Sequence, residues 1–316
     1  MRAILVSRLG GPEVLEAAEL DDPVAEPGRT LVDVTAAGVN YADTHRTDGS
    51  YRAAVVLPFV PGTEVAGVGP DGRRVVALLF PGGGYASRAS VADGDLVEIP
   101  DKVDDASALA LLVQGLTAWH LLRGSARLSQ GETVVVGAAS GGVGTVAVQL
   151  AAQFGAGRVI AAASTAQKRE RALRLGADVA VDSAADGYAE RILEATSGRG
   201  ADVILDSTGG DTLAAALGGL AHYGRLISYG NASRQGRAPV DPGALADRNT
   251  SVGGFWLRPA LDQPGGFREP LSELLTLVAD GRLVLPPGPS YPLGDARRAH
   301  EDLLARRTTG KVVLTV

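Results

Sequence analysis

Between Val134 and Ser164 the chain reads VVVGAASGGVGTVAVQLAAQFGAGRVIAAAS: a β-branched run, a glycine-rich turn, then a helix-like segment. Ala139, Gly141 and Gly144 occupy the three places of the G-x-G-x-x-G fingerprint, with Ser140, Gly142 and Val143 between them. Such a turn holds a pyrophosphate. The middle position lets the backbone approach the phosphates, the last lets the helix pack closely on the sheet, and the helix N-terminus faces the negative charge. A glycine turn alone also arises for packing. This one follows a strand, opens a helix and begins a βαβαβ series, which is the context that nucleotide binding requires.

A carboxylate that binds a ribose 2′-hydroxyl is expected about twenty residues beyond the turn, at the end of the second strand. That place holds Ala163, followed by Ser164, Thr165, Lys168 and Arg169. Hydroxyls and cations at a strand end suit a 2′-phosphate, which a carboxylate would repel. The cofactor expected is therefore NADPH rather than NADH. The plainer reading is that Lys168 and Arg169 only solvate the next helix.

Other chemistries are closed off by composition. The chain has no cysteine, so it carries no disulfide, thiolate nucleophile or thiolate metal site. Its four histidines, His45, His120, His222 and His300, are scattered without metal-ligand spacing. A net charge of -6 argues against a nucleic-acid partner. No signal peptide is legible, and the long uncharged stretch 133–157 breaks at the glycine turn instead of continuing as a membrane span. A soluble, cytoplasmic protein is expected.

The elements that must position these residues follow from periodicity. The first hundred residues read as short strands (TLVDVTAAGV, TEVAGVG, RRVVALL, LVEIP) separated by Pro and Gly. Helical spacing begins in the segment 104–122, with Asp105 or Ser107 as its expected cap. Strands then alternate with helices expected at 143–154, 166–175, 188–196 and 212–220, the rhythm of a parallel sheet. The tail carries helices at 269–279 and 295–305 and a closing strand, KVVLTV. The organisation expected is an α/β protein in which a parallel-sheet domain is inserted into a β-rich domain built from both chain ends.

Several segments, in order, resemble the zinc-independent quinone oxidoreductase family of the medium-chain dehydrogenase/reductase superfamily. They are GVNYADTHRTDGSY (38–51), LPFVPGTEVAGVG (57–69), LLVQGLTAWHLL (111–122), GAASGGVG, GRLISYGNAS (224–233) and RRTTGKVVL (306–314). The resemblance implies a GroES-like β-rich catalytic domain over 1–116 and 258–316, with a Rossmann NADP(H)-binding domain over 117–257. Where zinc-dependent relatives place Cys and His ligands, this chain has Asn40 and Thr63, although Glu64 remains.

The resemblance further implies that Asn40, Tyr51, Gln114 and Thr117 line the nicotinamide and substrate cleft. Ser164 and Lys168 meet the adenosine phosphate, Gly230 and Asn231 border the nicotinamide, and Lys311 approaches the cofactor from the last strand. Three departures stand out. His45 replaces a usual Tyr, Ser183 replaces a Tyr that helps hold the nucleotide, and the hairpin around VAGVGPDGRRVV is shortened.

Without a metal, the chemistry expected is hydride transfer to a quinone, whose hydroquinone anion needs only hydrogen bonds and later a proton. Asn40 and Tyr51 are the expected oxyanion partners and His45, or water, the proton source. An enone or enoyl-thioester acceptor is the near alternative. Arg46, Arg52 and Arg258 would give a thioester a basic entrance, but such scattered arginines read more simply as surface charge. A non-catalytic NADPH-binding protein is the alternative of another class. A homodimer is implied by resemblance, through the strand edge near NTSVGGFWLRP.

Overall fold

A computed structural model describes residues 1–236 and 239–316 of the chain. They form two compact units, one comprising Met1–Val113 with Leu271–Val316 and the other Gln114–Pro270. The second crossing lies thirteen residues beyond the expected 257 because the segment after it belongs with the inserted unit. There the short helix Leu257–Leu261 packs on the helix Leu116–His120. The His120 ring bonds the Gly266 carbonyl through Nε2 at 2.7 Å.

The inserted unit is built on six parallel strands. Numbered in chain order they are β1 (Thr133–Val136), β2 (Arg158–Ala163), β3 (Val179–Asp182), β4 (Ala201–Asp206), β5 (Leu220–Ser228) and β6 (Ser251–Gly254). Their spatial order is β3-β2-β1-β4-β5-β6, the doubly wound dinucleotide-binding order. Val135, Ile160, Ile204 and Leu226 are buried between the helix layers with Ile192 and Leu213. Strands covered on both faces must be apolar throughout, which is why they read as unbroken β-branched runs. The order reverses between β1 and β4, so the crevice for a ligand opens beyond Val136 and Asp206.

In the other unit the strand Arg29–Val39 is central. It pairs antiparallel with Glu64–Val68 on one side and Val312–Thr315 on the other. The register sets Val39 opposite Val312, so the next residue, Asn40, meets Lys311 from the far end of the chain. It also sets Ala37 opposite Val65, which brings Glu64 over Gly38. A Cβ on Gly38 would lie 2.2 Å from Glu64 Oε1, so only glycine leaves room for that carboxylate. Val32, Val34, Val65, Tyr85, Val91 and Leu314 pack the core beneath.

Several boundaries differ from expectation. Asp104, not Asp105 or Ser107, caps the first long helical run, accepting from Ser107 N at 2.9 Å. Asp105 and Ser107 already stand inside the first turn, past the position from which a side chain reaches the free amide. That run, 105–125, contains two π-helical turns, Leu111–Gly115 and Leu121–Ser125. The helix expected at 212–220 is Gly210–Leu217, because Gly218 and Gly219 end it and β5 begins at Leu220. Among the described residues, no helix is long and apolar enough to cross a membrane.

Candidate active site

The phosphate turn sits at the crevice mouth. Ala139 N donates to Ala162 O at 3.0 Å, tying the turn to the neighbouring strand, and Gly141 N donates to Ala138 O at 2.8 Å. The helix begins at Gly142, one residue before the expected Val143, and its first backbone bond is Thr145 N to Gly141 O. The amides of Gly142, Val143 and Gly144 therefore stand in the first turn, where no helical acceptor reaches them. A Cβ on Gly144 would lie 2.3 Å from Ala138 O and 2.6 Å from Ala139 Cα, so the helix approaches the turn as closely as backbone allows. Ala139 and Ser140 are buried beneath it.

Gln114 lies in the first π turn, and its carboxamide occupies the space that a Cβ on Gly142 would take. Its Oε1 is buried and accepts no hydrogen bond. Thr117, one turn on, is buried on the same helical run. On the far side of the crevice Asp206 is buried and accepts from Thr208 N and Gly209 N, at 3.2 and 2.9 Å. Burial raises its carboxyl above the usual range. Ala232 N to Ser207 O and Ser233 N to Thr208 O lace this loop to the one carrying Gly230 and Asn231. Asn231 Oδ1 is also buried without a partner. Two unsatisfied carboxamide oxygens beside free helix amides are the fit that a ligand with phosphates and N–H donors needs.

At the end of β2, Ser164 and Thr165 are exposed, and Thr165 caps the next helix by accepting from Lys168 N at 3.2 Å. Arg169 is more than a solvated helix residue. Its Nη1 donates to Ala163 O at 3.0 Å and to Asp182 Oδ2 at 2.8 Å, bridging the two strand ends. The Asp182 carboxyl is held below its ordinary range by the Ala184 amide and this guanidinium. Ser183 follows Asp182 at the same rim.

In the unit built from both chain ends, Asn40, Glu64 and Lys311 form one buried cluster. Asn40 Nδ2 donates to Glu64 Oε1 at 2.8 Å, and Lys311 Nζ donates to Asn40 Oδ1 at 3.0 Å. Lys311 is also ion-paired with Glu64 Oε1, while Glu64 Oε2 accepts from Val113 N at 2.9 Å. Within this unit the Lys311 ammonium bonds Glu64, Asn40 and the Val39 carbonyl. A buried ammonium without an anion would cost several kcal/mol, and Glu64 is that anion.

Asn40 opens the short helix Tyr41–Thr47, donating its backbone N–H to Asp43 Oδ2 at 2.8 Å. Tyr85 donates its hydroxyl to the same oxygen at 3.2 Å and meets His300 Nε2 at 3.1 Å. Burial drives Asp43 up to about 6 and His300 down to about 4, since neither interior favours a charge. Nothing local in the sequence points to this trio. Tyr85, Asp43 and His300 come from three separated segments, and each lies among other polar or glycine residues that do not mark it out.

His45 Nδ1 lies 2.6 Å from Ser50 Oγ, whose hydroxyl is donated in turn to Asp48 Oδ1 at 2.5 Å. That chain puts the neutral imidazole's proton on Nδ1. Tyr51 donates its backbone N–H to His45 O at 2.9 Å, and the Arg46 guanidinium lies 4.7 Å from the centre of its ring. Arg46 is 5% exposed and donates to Pro81 O, so it is not the surface charge that scattered spacing implied. Its guanidinium is drawn in by an aromatic face and a carbonyl. The structure therefore gathers Asn40, His45, Tyr51 and Lys311 around one helix and strand end. The turn residues with Gln114, Thr117, Gly230 and Asn231 gather in the other unit.

Among the described residues, no group of three or more His, Cys, Asp or Glu side chains converges as a metal site. The class these features define is a two-part α/β oxidoreductase with a dinucleotide crevice. Comparison with known proteins places it further. Residues 26–101 match the alcohol dehydrogenase GroES-like domain and residues 142–278 match the zinc-binding dehydrogenase family. The chain is 36% identical to a quinone oxidoreductase of Pseudomonas aeruginosa, covering 99% of both chains. Among solved structures it is 40% identical to the quinone oxidoreductase of Thermus thermophilus (TM-score 0.90) and 32% identical to the Escherichia coli quinone oxidoreductase complexed with NADPH (TM-score 0.93). Both alignments cover 100% of each chain. The chain belongs to the quinone oxidoreductase family of the medium-chain dehydrogenase/reductase superfamily.

Proposed function

We propose that the chain is an NADPH-dependent reductase that passes a hydride to a quinone. The observation that carries this reading is the pairing of a phosphate turn with a carboxylate-free strand end, where Ala163 is followed by Ser164, Thr165 and Lys168. Relatives solved with NADPH support it. NADPH, when bound, supplies the hydride from its nicotinamide.

The chain's own residues divide the remaining work. The amides of Gly142, Val143 and Gly144 take the pyrophosphate, and Ser164, Thr165 and Lys168 take the 2′-phosphate. Gln114, Thr117, Gly230 and Asn231 orient the nicotinamide end, the two buried carboxamide oxygens accepting its N–H groups. As the hydride's electron pair forms a new bond on the quinone, an oxygen of that quinone gains negative charge. Asn40 Nδ2 has one N–H committed to Glu64 and a second to donate to that oxygen, and the Tyr51 hydroxyl donates beside it. Because His45 carries its neutral-state proton on Nδ1, it gives a proton from Nε2 only as imidazolium; water serves otherwise. We place the enzyme in the cytoplasm as a homodimer joined along β6, which lies at the edge of its sheet among the described residues.

The test is absorbance at 340 nm with a simple quinone, a 2-alkenal and a crotonyl thioester, each with NADPH and with NADH, on protein dialysed against chelator. Quinone-dependent NADPH oxidation is the expected outcome. Turnover confined to the alkenal or thioester would reassign the chain as a double-bond reductase, and a preference for NADH would contradict the role of Ser164 and Lys168.

A further inference from the structure

Asn40, Glu64 and Lys311 are 4%, 0% and 5% exposed, and each is bonded to the other two. A buried ion pair is weak evidence for stability, because apolar residues of similar volume serve as well or better. Its geometry here points to another use. An asparagine carboxamide turned over exchanges its oxygen for its NH2 with almost no change of shape. At this site the two orientations differ sharply in energy. As built, the ammonium faces Oδ1 and the carboxylate faces Nδ2. Turned over, the NH2 would face an ammonium and the oxygen a carboxylate, replacing two charge-assisted hydrogen bonds with two repulsions.

We propose that Glu64 and Lys311 are positioning residues for Asn40: the pair locks its carboxamide so that a single N–H is presented to the acceptor oxygen. Donation from Lys311 to Oδ1 also draws electron density from the amide, which strengthens the remaining N–H as a donor. The pair is itself anchored. Val113 N holds the second carboxylate oxygen, Val39 O lies 3.3 Å from the ammonium, and Gly38 leaves the carboxylate its space. This inference rests on Asn40 being the oxyanion donor, and the experiment separates the two.

The variants are Asn40→Ala, the charge-free double variant Glu64→Gln/Lys311→Met, and the triple combination, with kcat, quinone KM, NADPH affinity by fluorescence and Tm measured for each. The double variant is expected to lower kcat about tenfold or more while leaving NADPH affinity within about twofold. In the Asn40→Ala background the same two substitutions are expected to lower kcat no further, the non-additivity of groups that act through one another. A double variant with full kcat, or an equal loss with and without Asn40, overturns the positioning role. An Asn40→Ala variant with full kcat overturns the oxyanion assignment as well. A measurement on the unsubstituted protein avoids any dependence on variant folding. Of the two Asn40 side-chain amide protons, the one bonded to Glu64 is expected to exchange with solvent more slowly than the other. Equal exchange of the two would contradict the lock.

Discussion

The two units solve opposite electrostatic problems with different materials. The inserted unit offers an anion almost nothing but backbone: free amides of Gly142, Val143 and Gly144, a turn closed by Ala139 and Gly141, and a cation or two at the rim. The unit built from both chain ends buries full charges instead, with Lys311 on Glu64 and Arg46 beneath Tyr51. Backbone donors need small residues and close approach, so they hold a ligand wherever the turn is kept. Buried side-chain charges need matched partners, and removing one strands the other. The nucleotide half should therefore tolerate polar substitutions that the buried half does not.

The largest expected effect on stability is a pH effect in the buried half. His300 is depressed to about 4, so the unfolded chain takes up its proton first as pH falls from about 6.5, and stability drops down to about 4. Asp43 is raised to about 6, so the native state takes up that proton first, and stability rises as pH falls from about 6 to 3.8. The two contributions oppose each other across nearly the same window. Asp43→Asn removes only the second. Denaturant unfolding of both proteins at pH 7 and pH 4 is expected to show the variant losing about 2 kcal/mol relative to the parent on acidification. Parallel curves would mean that Asp43 titrates near its ordinary value.

A smaller effect is expected in the nucleotide half. Lys168→Ala should weaken NADPH binding about tenfold, near 1.4 kcal/mol, and leave NADH binding within about twofold, as calorimetry would show. Equal losses for both nucleotides would mean Lys168 serves the helix and not the phosphate. The smallest concerns Arg46→Met, which keeps the stem but loses the cation over the Tyr51 ring. About 1 kcal/mol of stability is expected to go, readable as a shift in Tm. A rise in quinone KM alongside it would show that the Tyr51 ring is held for substrate.

The same contrast explains what the sequence made legible. The glycine turn, the alternation of strands with helices and the missing acid at Ala163 are local, so spacing alone located them. The partner of Asn40 is not local: Lys311 lies at the other end of the chain, and only the register between Arg29–Val39 and Val312–Thr315 brings the two together. Resemblance singled out Lys311, but no local feature links it to Glu64. Arg46 read as surface charge because sequence spacing does not show an aromatic ring and a carbonyl folding over it. Asp206, buried at the crevice, and the Tyr85–His300 contact were missed for the same reason. The cap at Asp104 was missed by one residue among three neighbouring polar side chains, a choice settled by which one reaches a free amide.

The most direct test of a division of labour between the two units is stopped-flow mixing of quinone with NADPH-saturated protein, comparing the parent with Asn40→Ala. The hydride-transfer rate is expected to fall by a factor of about a hundred, the scale of one oxyanion donor, while NADPH affinity stays within about twofold. An unchanged transfer rate, or a loss confined to NADPH affinity, would contradict the assignment of oxyanion stabilisation to the unit that holds Asn40.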